Sequence, residues 1–286
     1  MPLTPTREII DAAHERGAGV GAFNVIHLET AEALVAGAES AGHAVILQIS
    51  QNCVAFHGTL PPLGLACLTL AAGAAVPVAV HLDHAEDEAL AREAVDLGFG
   101  SVMYDGATHP YAQNVAATRR VVQYAHARGV FVEAELGAIG GKDGAHAPGV
   151  RTDPTEAVSF VEATGVDALA VAVGSSHAMT QRVATLDLEL IARLRAVLDV
   201  PLVLHGSSGV PDDQLTAAIR AGMTKINVST QLNRVFTQAL RGYLAAEPTV
   251  VDSRKYVRVG RSAVAAEAAR LLTLLSLDDP ENKSRR

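Results

Sequence analysis

Two histidines and a carboxylate crowd into "HLDH" at residues 81–84, at the end of the apolar run "VPVAVHLDH". Other short apolar runs also end in groups that can ligate a metal or move a proton. Asn24 closes "GVGAFN", Ser50 closes "AVILQIS", and Asp105 follows "FGSVMY". Glu133 and Glu135 alternate in "GVFVEAEL", and His177 ends "VAVGSSH". His205 opens "HGSSG", and Asn227, Ser229 and Thr230 lie in "INVST". One histidine after a strand is usually a hydrogen-bonded structural residue. Three strands that end in histidine, with glutamate on another, are different if their ends converge. Three imidazoles with an open fourth position is the donor set of a catalytic zinc site, and cobalt or iron would also fit. Glycines and hydroxyls in "VGSSH", "HGSSG" and "NVST" suit a phosphate cradle, because backbone N–H groups can close on an anion there.

What must bring those ends together is a repeating pattern. Eight apolar runs begin at residues 19, 44, 76, 99, 129, 167, 200 and 223, separated by Ala/Leu/Glu-rich stretches of helical spacing. Continuous apolar strands that alternate with helices predict a parallel sheet covered by helices. Eight repeats between residues 19 and 229 favour closure into a (β/α)8 barrel, with chemistry at the C-terminal strand ends. The G-x-G of "GAGVGAF" precedes its strand, whereas a dinucleotide fingerprint must follow one. The Gly-rich "GAIGGKDGAHAPGV" (137–150) reads as an active-site lid, and the stretch from Asp252 as an additional C-terminal helix.

Composition narrows the class. A net charge of -8 without a charge run makes nucleic acid a poor partner. No apolar run reaches the ~18 residues of a membrane span. The N-terminus "MPLTPTREII" lacks a signal-peptide layout, so a cytoplasmic location is expected. Two cysteines, Cys53 and Cys67, are too few for a disulfide framework and read as buried thiols.

The segments "GAFNV", "VHLDH", "MYDGA", "VEAELG", "VDALAVAVGSSH", "VPLVLHGSSGV", "TKINVST" and "RKYVRVG" resemble, in order, those of the class II, metal-dependent ketose-bisphosphate aldolases. The resemblance covers nearly the whole chain. It implies one TIM-barrel aldolase domain over residues 1–286, with a polar tail from about 277. It also implies reversible cleavage of a phosphorylated ketose to dihydroxyacetone phosphate and an aldehyde, via a zinc-stabilised enediolate. By position it implies Zn2+ on His84, His177 and His205, with Glu135 as a nearby carboxylate. Asp83 becomes the acid/base at the aldehyde end, and Asp143 takes the place of the family's loop glutamate. Gly174, Gly206, Ser208 and Thr230 fall at the ketone-side phosphate. Asn227 falls at the enediolate, and Asn24 and Ser50 at the aldehyde part. A monovalent cation (Na+ or K+) near the phosphate and a homodimer or homotetramer also follow from the resemblance.

Strand alternation alone puts His81 and Asp83 on one face and would make His81 the ligand. The resemblance selects His84 instead, which requires the strand to end at Asp83 and the chain to turn there. Three departures bear on substrate. Ser229 stands where fructose-bisphosphate members commonly have aspartate, Asn233 where a basic residue often holds the distal phosphate, and Ala178 where glycine often follows the histidine. Tagatose bisphosphate and a 2-deoxy-5-keto-gluconate 6-phosphate are therefore alternatives, and Arg258 is a candidate for supplying positive charge across a subunit boundary. Three other mechanisms stay open. A Schiff-base aldolase would need one of the four lysines, of which only Lys225 lies on a predicted strand. A metal-dependent barrel hydrolase is disfavoured by the lack of histidine on the first strand. A non-catalytic sugar-phosphate binding protein is the third.

Overall fold

The computed structural model describes residues 3–136, 151–177 and 179–278. Eight parallel strands close a barrel in chain order. They are β1 (Val20–Asn24), β2 (Val45–Ser50), β3 (Val78–Ala85), β4 (Ser101–Tyr104), β5 (Phe131–Leu136), β6 (Ala168–Val171), β7 (Leu202–Leu204) and β8 (Met223–Val228). Closure is made by β1 against β8, where Ala22 pairs with Asn227. The surrounding helices are α1 (Thr6–Glu15), α2 (Leu28–Ala41), α3 (Gln51–His57), α4 (Pro61–Gly73), α5 (Glu88–Leu97) and α6 (Tyr111–His126). After them come α7 (Pro154–Thr164), α8 (Leu188–Val197), α9 (Asp212–Ala221), α10 (Thr230–Ala246) and α11 (Ser253–Leu275).

Alternation along each strand sorts side chains between two cores. Val80, Leu82, Val132, Ala134, Ile226 and Val228 face outward into the large core under the helices. Val20, Ala22, Ile46, Ala79, Met103, Phe131, Ala168, Ala170 and Val203 face inward and fill the lower barrel. Ile9, Ile10 and Ala13 of α1 join that inner cluster and plug the N-terminal end. Continuing up the same inward rows, the residues become polar: Ala22 gives way to Asn24, Ile46 to Gln48, and Ala79 to His81 and Asp83. Phe131 likewise gives way to Glu133 and Glu135, and Val203 to His205. Dry packing below thus holds up a polar layer that opens only at the C-terminal mouth.

The expected C-terminal helix is present as α11, and it is part of the barrel wall. Leu271, Leu272 and Leu275 are buried, and Gly19 N–H donates to Leu275 O at 2.8 Å. Gly37 lets α2 approach it closely, since a Cβ there would lie 2.6 Å from Ala265 O and 2.8 Å from Ala268 Cβ. By contrast α10 fully buries only Gln231 and Leu232, and it packs on α11 where Gly260 meets Phe236 and Leu240. Cys53 and Cys67 are free and buried, and burial pushes the Cys67 thiol up to about 12. No single helix among the described residues is long and apolar enough to cross a membrane.

Candidate active site

His84 reaches the mouth through a bulge. β3 does not end at Asp83 as expected; it runs to Ala85. Its register with β4 slips between Leu82 and Ala85, and His84 adopts φ 49, one of two described non-glycine residues with positive φ. Such a conformation is unfavourable for a residue with a Cβ and concentrates at functional sites. Here it swings an outward-parity side chain back inward, so Asp83 and His84 both serve the mouth. His81, one layer deeper, bonds Ser101 Oγ through Nδ1 at 2.8 Å and does not join the histidine cluster.

One nitrogen each from His84, His177 and His205 falls within a sphere of mutual separations no greater than 4.8 Å. Carboxylates behind two of these rings set the tautomers. His84 Nδ1 donates to Asp105 Oδ2 at 2.8 Å, and His205 Nε2 donates to Glu133 Oε1 at 2.9 Å. Those bonds leave His84 Nε2 and His205 Nδ1 as lone pairs facing each other at 3.0 Å. With neither nitrogen carrying a proton, the arrangement is repulsive unless a cation lies between the rings. Burial above all holds the His205 imidazole well below its ordinary value, in the neutral form a metal needs. Tetrahedral Zn–N bonds of about 2.0–2.1 Å put ligand nitrogens roughly 3.3 Å apart, so these residues fit the ion. Glu135 Oε2 lies 3.8 Å from His205 Nδ1 and 4.0 Å from His84 Nδ1, and a second possible donor group is His84, Asp105 and Glu135.

Beneath the histidines, Glu133 Oε2 accepts from Lys225 Nζ at 2.7 Å, both side chains being 0% exposed. The lysine neutralises the carboxylate that orients His205. Burial first, and then Lys225, also keeps His81 well below its ordinary value.

Asp83 is held by amides from three neighbouring strands. Asn24 Nδ2 donates to Oδ2 at 3.4 Å, Gln48 Nε2 to the same oxygen at 3.5 Å, and Asn227 Nδ2 to Oδ1 at 3.4 Å. Gln48 also donates to Asn24 Oδ1 at 2.7 Å, fixing that amide. Burial pushes the Asp83 carboxyl up, but His84, His205, Lys225 and His177 together more than reverse this and leave it below its ordinary value. Asp83 therefore rests ionised, ready to accept a proton.

A cavity of 330 Å³ opens over this layer and is lined by Asn24, Ser50, Asp83, His84, His177, His205, Gly206, Ser208, Asn227, Ser229 and Thr230 among others. Those eleven are sequence-predicted site residues, so the fold brings them together. On its β7–β8 side, Gly206 has φ 66, and a Cβ there would strike the Ser176 backbone at 2.6 Å. Ser208 Oγ accepts from Ser229 N–H at 3.3 Å and Gln231 N–H at 3.1 Å, pinning the start of α10. The start of this 17-residue helix lies at the mouth, where Ser229 and Thr230 line the cavity.

Glu135 sits against the histidines without lining the cavity. Gly174 lies behind it with φ 116, against Thr185 O and the Arg151 guanidinium. Arg258 lines a different cavity of its own chain, with Glu29, Glu32 and Arg261. Asp143 and the 137–150 lid lie outside the described residues. Sequence reasoning gave no role to Gln48, and it left Asp105 and Glu133 as strand-end polar groups. Their signal was present in the inward parity of "VILQIS" and "FVEAEL", since a carboxylate or amide on a buried parity needs a partner.

A closed barrel with three facing histidines beside an aspartate defines a barrel protein whose C-terminal mouth could hold a metal ion. Residues 4–279 match the family model described as fructose-bisphosphate aldolase class-II. The chain is 40% identical over 270 residues to a fructose-bisphosphate aldolase of Geobacillus stearothermophilus, covering 93% of this chain and 94% of that one. It superposes on the crystal structure of the YdjI aldolase from Escherichia coli K12 with TM-score 0.84 at 30% identity, covering 96% and 98% of the two chains. The fructose-bisphosphate aldolase of Campylobacter jejuni shares the fold, with TM-score 0.77 at 21% identity over 94% and 93%. This chain belongs to the class II fructose-bisphosphate aldolase family. It is an aldolase, a carbon–carbon lyase.

Proposed function

We propose that this enzyme is a zinc-dependent aldolase that reversibly cleaves a phosphorylated ketose to dihydroxyacetone phosphate and an aldehyde. The observation that carries the reading is the cluster of His84, His177 and His205, beside Asp83, in a cavity that also holds the start of α10. His84, His177 and His205 would hold the ion, with Glu135 within reach. When bound, zinc supplies Lewis-acid stabilisation of the negative charge that develops on the ketone and hydroxyl oxygens. Asp83 takes the proton of the C4 hydroxyl as the C3–C4 bond breaks, and returns it in condensation. Asn24, Gln48 and Asn227 keep that carboxylate aimed. Gly206, Ser208, Ser229 and Thr230 cradle the ketone-side phosphate with Gly174 behind them, and Ser50 faces the aldehyde part. On the family pattern the base that acts on dihydroxyacetone phosphate is Asp143. A monovalent cation (Na+ or K+), a homodimer or homotetramer and a cytoplasmic location belong to the same reading.

The Schiff-base alternative needs an accessible amine. Lys225 is fully buried and ion-paired with Glu133, and neither it nor Lys255 lines the cavity. The test is a cleavage panel of fructose 1,6-bisphosphate, tagatose 1,6-bisphosphate, fructose 1-phosphate and 2-deoxy-5-keto-gluconate 6-phosphate with zinc-replete protein. Dihydroxyacetone phosphate should form from at least one substrate and cease on chelation. Cleavage that survives chelation and is trapped by borohydride would refute the metal mechanism.

A further inference from the structure

Behind the β7–β8 side of the mouth, five side chains from four segments close a ring. Arg182, in the 179–187 segment that follows His177, donates to Val210 O from Nε at 2.9 Å and from Nη2 at 2.7 Å. Its Nη2 also donates to Asp212 Oδ1 at 2.5 Å, at the first residue of α9. Asp212 Oδ2 accepts from Arg270 Nη1 of α11 at 2.7 Å. Arg270 turns Nε and Nη2 to the two oxygens of Glu267, each at 2.9 Å. Glu267 Oε1 also accepts from Gln231 Nε2, in the first turn of α10, at 2.9 Å. The Gln231 backbone N–H then donates to Ser208 Oγ at 3.1 Å, two positions before Val210, where the path began.

The ring grips the short turn Ser207–Gly209 from both sides, at Ser208 through α10 and at Val210 through Arg182. Between them, Ala184 N–H donates to Gly209 O at 3.0 Å. A Cβ on Gly209 would strike Met179 at 2.5 Å, so the 179–187 segment lies flush against the turn. None of the five side chains lines the cavity, so none is placed to touch substrate. An isolated surface ion pair contributes little, because ordering two long side chains offsets the attraction. Here each arginine meets two acceptors and each carboxylate two donors, so one ordering serves several bonds. The Glu267 and Arg182 side chains are also only 13% and 23% exposed, which limits screening.

We propose that Arg182, Asp212, Arg270, Glu267 and Gln231 are positioning residues for the phosphate of the ketone half. The ring sets the distance between the start of α10 and the Ser207–Gly209 turn, and so the width of the cradle. It acts through Gly206, Ser208 and Thr230 and not through the metal. Those three residues offer hydroxyls and backbone N–H groups, whose grip depends on placement, since a hydrogen bond weakens steeply away from its geometry. This rests on the aldolase reading above and deepens it, by naming what fixes the phosphate site.

The experiment measures binding of dihydroxyacetone phosphate to zinc-loaded enzyme by calorimetry, beside zinc affinity by chelator competition. Arg182→Met opens the ring at Val210 and Asp212. Gln231→Leu opens it at Glu267 and keeps the N–H to Ser208, and it carries the test alone if Arg182→Met does not fold. Each should weaken dihydroxyacetone phosphate binding by about ten-fold and leave zinc affinity within about two-fold. Because either cut opens the same ring, the double variant should also lose about ten-fold, not the roughly hundred-fold of independent struts. Arg7→Met removes an ion pair to Asp167 at the closed end of the barrel and should leave dihydroxyacetone phosphate binding unchanged. Unchanged binding in the ring variants would overturn the inference, as would multiplied losses in the double variant or an equal loss in Arg7→Met. If the unaltered, zinc-loaded enzyme binds no dihydroxyacetone phosphate, the aldolase reading on which the inference stands falls instead.

Discussion

Glu133→Gln separates what the buried carboxylate does for stability from what it does for the metal site. Two groups depend on it: His205 Nε2, which donates to Oε1 at 2.9 Å, and Lys225 Nζ, which donates to Oε2 at 2.7 Å. At an effective dielectric of about 20, charges at the latter distance attract by roughly 6 kcal/mol. The isosteric amide removes that attraction and leaves the ammonium buried, a change that typically costs about 3–5 kcal/mol. Because the amide oxygen can still accept from Lys225, the lower end of that range is expected in urea melts. The loss of a charged acceptor behind a metal-binding histidine should weaken zinc affinity about 10–100-fold. Adding Lys225→Met removes the stranded charge, so stability should recover to within about 1 kcal/mol of the parent while zinc affinity stays weak. Zinc affinity is read by competition with a chromophoric chelator. Unchanged affinity in Glu133→Gln would refute the idea that this carboxylate orients His205. Recovery of affinity on adding Lys225→Met would show that the effect came from the buried charge instead.

Asp83→Asn should retain zinc but lose about 10²–10⁴-fold in kcat, since Asp83 lies outside the three-histidine group that would hold the ion; turnover at the parental rate would sink the acid/base role. Gly37→Ala should lower stability by about 1–3 kcal/mol by forcing α2 off α11, read as a lowered midpoint in urea with zinc affinity intact. Asp212 and Glu267 are held below their ordinary values of 3.8 and 4.5. In both, burial opposes the shift and hydrogen bonds from arginine outweigh it: Arg182 and Arg270 for Asp212, and Arg270, joined by Gln231, for Glu267. A depressed carboxylate adds stability that is complete above its unfolded-state value and is lost as pH falls through the folded one. Melting temperature should therefore decline below about pH 4, and Arg270→Met should flatten that limb while costing roughly 0.5–1 kcal/mol at neutral pH.

The barrel was legible because its strands are short continuous apolar runs and the helices between them carry an apolar stripe, both local signals. The convergence of His84, His177 and His205 was legible only through the strand ends, since barrel closure supplies the rest. What alternation misplaced is instructive. Parity made His81 the ligand, yet a single left-handed residue inverts the parity at His84, and no residue type marks that position, as glycine would. The Glu133–Lys225 pair was invisible for another reason. A lysine on a strand reads as an edge or surface residue, and only the closed barrel shows that its amine ends on a carboxylate three strands away in chain order. The position of α11 in the wall, with α10 outside it, depends on the fit of Gly21 and Gly37 to Leu272, Ala265 and Ala268, which is a matter of shape rather than pattern.

The central claim is that three histidines hold one catalytic ion beside Asp83. It is tested most directly by titrating metal-stripped enzyme with Zn2+ while following release of dihydroxyacetone phosphate from the best ketose phosphate. The account predicts no turnover at the start, a linear rise, and a plateau at about one equivalent of zinc per chain, with His177→Ala failing to reach it. Full turnover by the stripped enzyme, or an identical titration in His177→Ala, would contradict it.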